Sequence, residues 1–119
     1  MDNDTYKQVI TTIAAGATGL SGAIDLEDYE EIALEMPLAW TTANITLQAA
    51  KESAGQYKDV YDDAGTEVSI TAAGSRIIVL GTATKAAIKA LRFIKLRSGT
   101  SGSAVNQTTN REIIVHLKK

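Results

Sequence analysis

The chain contains no cysteine, one histidine, one proline, one phenylalanine and one tryptophan among its 119 residues. Lacking cysteine, it has no disulfides, thiolate metal sites or cysteine nucleophiles. His116 alone cannot build the multi-histidine sites typical of zinc and iron. No apolar run approaches the ~18 residues that span a bilayer, so no membrane partner is expected. The opening Met1-Asp2-Asn3-Asp4 is acidic where a signal peptide is basic, so no export signal is expected either. What is present is an ordinary globular composition, 45% apolar and 22% charged. It suits one domain over 1–119, in which folding buries roughly two-thirds of the unfolded surface.

The net charge of -2 conceals a polarity along the chain. Residues 1–67 carry 13 of the 14 acidic side chains and 3 of the 12 basic ones, and residues 68–119 carry the rest. Both parts are patterned with apolar residues, so neither is a solvated tail. Either acidic and basic strands neutralise each other within one sheet, or the particle is dipolar and docks its basic side on an acidic neighbour.

Period-two alternation dominates. In Glu31-Ile32-Ala33-Leu34-Glu35-Met36 the apolar Ile32, Leu34 and Met36 share a face, with Glu31 and Glu35 opposite. Segments 44–48 and 67–71 repeat the pattern, Tyr6 to Ile13 reads as a first strand, and Gln56 to Tyr61 as a short one. Three runs, 76–80, 91–96 and 112–117, are apolar on both faces and are expected at sheet centres or covered on both sides. Glycine-bearing turns separate nearly all of these, and residues 98–110 read as one long polar loop. Only Gly81 to Ala90 is helical in character. Such short strands at roughly 8–12-residue spacing predict an all-β fold. The expected form is an antiparallel β-sandwich of jelly-roll type with about eight strands and one short helical turn near 82–90. Residues 1–8 are expected to form an N-terminal arm or edge strand.

Little of the side-chain chemistry is specific. Asp59, Asp62, Asp63 and Glu67 around Gly65 suit either calcium or a hairpin turn in which Asp62 or Asp63 caps its own backbone and Gly65 takes positive φ. His116 has no nucleophile-elbow serine beside it and is expected to point to solvent or a neighbouring subunit. The basic run Arg92, Lys95, Arg97, Arg111, Lys118 and Lys119 lacks interleaved aromatics, so no nucleic-acid partner is expected. Ser98 to Ser103 has glycines and hydroxyls but not the lysine and following helix of a phosphate loop. Trp40, following Pro37, is either a corner plug in the core or a sugar-stacking platform.

Four stretches carry a wider likeness: Leu20-Ser21-Gly22-Ala23-Ile24-Asp25-Leu26, Met36 to Gln48 with its "ITLQ" strand, Val60 to Glu67 with "YDDAGTE", and Leu91 to Thr100 with "RFIKLRSGT". Together they resemble a group of small proteins encoded among tailed-bacteriophage structural genes, with a discoidin-like, galactose-binding-like jelly roll. The likeness spans about residues 20 to 115. It departs at the acidic Glu27-Asp28-Tyr29-Glu30-Glu31 and at Ala50 to Gly55, which lacks the Ser-x-Asp-Gly turn of the discoidin-like pattern.

The resemblance implies a virion structural protein rather than an enzyme, a capsid decoration protein bound to the major capsid protein or other virion proteins. It further implies a homo-oligomer assembled in the host bacterial cytoplasm, without a cofactor. Partner contacts are expected from Asp2, Asp4, Lys7, Arg92, Lys95, Arg97 and Arg111. The alternative is a carbohydrate-binding module of a phage tail or fibre engaging host glycans, with Trp40, Ser98, Thr100 and Gln107 as contacts.

Overall fold

The computed structural model describes residues 5–16 and 18–119. Ten strands and one helix follow one another. They are β1 (Tyr6–Ile13), β2 (Ile24–Asp25), β3 (Glu31–Glu35), β4 (Ile45–Ala50), β5 (Lys58–Asp59), β6 (Ser69–Ile70), β7 (Ile77–Val79), α1 (Thr82–Ile88), β8 (Phe93–Thr100), β9 (Ser103–Ala104) and β10 (Arg111–Lys118). One sheet runs β1-β10-β3-β7. The other runs β2-β8-β4-β5, with β6 also on β4 and β9 on β8. All pairings are antiparallel. The chain alternates between sheets from β1 to β4, and β10 returns between β1 and β3. This is the strand order of a jelly-roll sandwich.

The alternating apolar residues meet between the sheets. From the first come Ile13, Ile32, Leu34, Ile113, Val115 and Leu117, and from the second Ile24, Ile45, Leu47, Ile94 and Leu96, all buried. Alternation fixes this, because a one-residue slip would turn every one of these side chains outward. Helix α1 crosses an end of the sandwich and buries only Ile88. It is the short helical turn that its alanines predict.

Two expectations need correction, and one strand went unforeseen. Residues 98–110 are not one loop, because β8 continues to Thr100 and turns back as β9. Gly99 makes that turn possible. Its φ is +94°, and a Cβ there would stand 2.5 Å from the Ser103 carbonyl oxygen and 2.6 Å from the Val105 nitrogen. Strand β2, only two residues long, has no alternation to reveal it. The run 76–80 is neither central nor covered on both sides, since β7 is an edge strand with Ile77 59% and Val79 74% exposed. The runs 91–96 and 112–117 do occupy sheet centres, in β8 and β10.

Candidate interaction surface

The outer face of the β1-β10-β3-β7 sheet carries the feature that local sequence explains least. Registers set its rows: Gln8, His116, Ala33 and Val79 lie side by side, then Ile10, Ile114, Glu35 and Ile77. The apolar members form a band from one sheet edge to the other, with Ile10 63% exposed. At its centre His116 Nε2 and Glu35 Oε1 are 2.9 Å apart. Four of the six exposed large hydrophobic side chains of the described residues, Tyr6, Ile10, Ile77 and Val79, belong to this face. Sequence reasoning placed His116 here, facing outward from its strand. It missed the band because doubly apolar runs were read as covered by a second layer.

The basic residues do not form a patch. Arg92 holds Asp25 through two bonds, Nε to Oδ1 at 3.0 Å and Nη2 to Oδ2 at 3.1 Å. That pairing and further hydrogen bonds hold the Asp25 carboxyl below its usual range and raise the arginine. Lys95 stands 4.4 Å from the centre of the Tyr57 ring, and burial raises the Tyr57 hydroxyl. Arg111 lies apart from these, half-buried, with Nε bonded to Gln107 Oε1 at 3.0 Å. Lys7 pairs with Glu27 at 2.6 Å, which raises its pKa. Asp2 and Asp4 lie outside the described residues.

Arg97 was expected among surface contacts and is instead 5% exposed. It projects from the outer face of β8, and the hairpin over 60–68 folds across it. Its Nη1 meets Asp59 Oδ1 at 2.8 Å, its Nη2 meets Glu67 Oε2 at 2.7 Å, and its Nε donates to Thr46 Oγ1 at 3.0 Å. Glu67 in turn accepts from the Ser101 amide, tying the hairpin to the β8–β9 turn. The arginine, helped by Gln48, lowers the Asp59 pKa. Buried guanidinium needs this completeness, because an unpaired charge there is costly.

The calcium alternative for this hairpin resolves as a turn. Asp62 Oδ1 accepts the amides of Ala64 and Thr66 at 2.9 and 3.0 Å, and Gly65 has φ +82°. Among the described residues no group of three or more His, Asp or Glu is arranged to hold a metal ion. No described helix is long and apolar enough to cross a membrane.

Charge polarity along the chain is explained by pairing. Of the seven ion pairs made by lysine and arginine among described residues, six join an acid of the first 67 residues to a base of the remainder. Two of them, Lys85 with Glu31 and Lys89 with Glu30, cross a cleft of about 450 Å³ between α1 and the segment before β3.

The glycan candidates are mostly consumed by the fold. Trp40 packs against the core and its Nε1 donates to the Ala43 carbonyl at 3.0 Å. Ser98 is fully buried and its hydroxyl donates to the Val105 carbonyl. Gln107, also buried, clips Thr41 by accepting from its amide and donating to its carbonyl, at 2.8 and 3.0 Å. Thr100 alone is exposed, with Oγ1 accepting from the Ser103 amide. Comparison with protein-family models, curated proteins and solved structures gives no match for this chain.

Proposed function

We propose that this protein is a structural component of a tailed-bacteriophage virion that decorates the capsid, docking on the major capsid protein through the outer face of the β1-β10-β3-β7 sheet. The observation that carries the reading is the band of exposed Ile10, Val79 and Ile77 with half-buried Ile114 and Ala33 between them. An apolar band crossed at its centre by the His116–Glu35 pair and flanked by Glu31, Glu112 and Lys118 has the make-up of a protein interface, in which burial drives association and polar groups set orientation. The resemblance of the four stretches between residues 20 and 100 to phage structural-gene products supplies the kind of particle. Many copies, each bound across subunit boundaries, would stabilise the shell by mass action. The carbohydrate-binding reading has no comparable surface to support it.

Co-sedimentation with capsids lacking the protein tests this. Saturable binding at a fixed ratio to the major capsid protein, abolished by Val79→Glu, is the expected result. Absence of binding by the wild-type protein overturns it.

A further inference from the structure

Strand β1 differs from every other sheet edge of the molecule. Among the described residues it pairs on one side only, with β10. The remaining edges are blunted: β2 and β5 have two residues each, β5 consists of Lys58 and Asp59, and β7 has three. Short, charged edges are how sheet proteins avoid pairing with other chains. By contrast β1 has eight residues without proline or glycine, and its last five, Val9, Ile10, Thr11, Thr12 and Ile13, are all β-branched.

Its hydrogen-bonding phase follows from one bond. The Lys119 amide donates to the Thr5 carbonyl, and the register continues unbroken from Tyr6 opposite Lys118 to Ile13 opposite Arg111. In an antiparallel ladder every second residue faces the partner. Thr5, Lys7, Val9, Thr11 and Ile13 therefore bond β10, while Tyr6, Gln8, Ile10 and Thr12 direct their N–H and C=O groups away from the sheet. All four of these side chains are exposed. The single charge of β1, Lys7, is already held by Glu27 at 2.6 Å.

We propose that β1 is a dimerisation strand, pairing antiparallel with β1 of a second copy of this chain. Self-pairing satisfies phase without adjustment. With the two-fold axis at Val9, Gln8 faces Ile10 and Tyr6 faces Thr12, so each outward-directed residue meets another of the same kind. Lys7 falls opposite Thr11, so no like charges are brought together. Such an interface is isologous and closes at two copies. It joins the two four-stranded sheets into one of eight strands, and it brings the two Ile10 side chains into diagonal neighbourhood at the axis. The dimer does not depend on the capsid reading, because it forms with no capsid present.

Sedimentation equilibrium on the purified chain across a wide concentration range should give a reversible monomer–dimer transition. Gln8→Pro removes an amide that the monomer does not use, a substitution tolerated on edge strands. It is expected to weaken the dimer by about tenfold or more while leaving the circular dichroism of the dilute monomer unchanged. Ile10→Lys keeps the amide and places a charge on the edge, and should do the same. In the wild type, the amides of Tyr6, Gln8, Ile10 and Thr12 should gain exchange protection as concentration rises. A wild-type protein that stays monomeric overturns the proposal. So does a dimer in which those four amides exchange freely and Ile10→Lys has no effect.

Discussion

Arg97 and Glu67 lie 30 residues apart in the chain, and Nη2 of the first meets Oε2 of the second at 2.7 Å beneath a folded-over hairpin. The bond closes a network with Asp59, Thr46 and the Ser101 amide that covers Arg97 and Thr46 on the outer face of the second sheet.

Removing the cation should be severe. Arg97→Met leaves Asp59 and Glu67 facing each other without a counter-charge, and about 3 kcal/mol of stability should be lost. Urea unfolding checks this.

Acid should weaken the network from the other side. The Asp59 carboxyl is held below its usual pKa by Arg97 and Gln48. A carboxylate with a depressed folded pKa contributes stability above its unfolded pKa and loses it as pH falls through the folded value. Asp59→Asn should therefore be less stable than wild type at pH 7, with the difference closing below about pH 4. Unfolding midpoints of the two proteins across that range decide it.

Gly99→Ala should cost about 2 kcal/mol, because the residue sits at φ +94° with backbone atoms where a Cβ would go. Gly65→Ala is the control. It shares positive φ but has open space around its Cα, so it bears only the conformational part. A melting temperature lowered equally by both would show that the close approach in the β8–β9 turn does not matter.

The outer band should be separable from the core. Val79→Glu is expected to change stability by no more than about 0.5 kcal/mol, whereas Leu34→Ala, on the buried face of β3, should cost about 3 kcal/mol. Thermal denaturation of both variants beside the capsid-binding assay separates loss of docking from loss of fold.

Much of the architecture was legible along the chain. Ile32, Leu34 and Met36 face the core as their spacing demands, Tyr6 to Ile13 is a strand at those bounds, and Asp62 with Gly65 makes the turn that their chemistry favours. Each of these is a local matter of alternation or of a side chain reaching its own backbone. Site residues were less legible, since four of those singled out from sequence turned out to be fold-forming: Arg97, Ser98, Gln107 and Trp40.

By itself, then, the sequence determined which residues share a face and where the chain turns, because both depend on neighbours within a few positions. Only the tertiary structure decided which strands became edges. It left Ile77 and Val79 uncovered although their run is apolar on both faces, and it buried Arg97 although its residue type favours the surface. Those outcomes depend on what packs above each strand, and the covering segments come from 30 and 38 residues away, in Glu67 and Asp59. No local pattern encodes the presence or absence of such a neighbour.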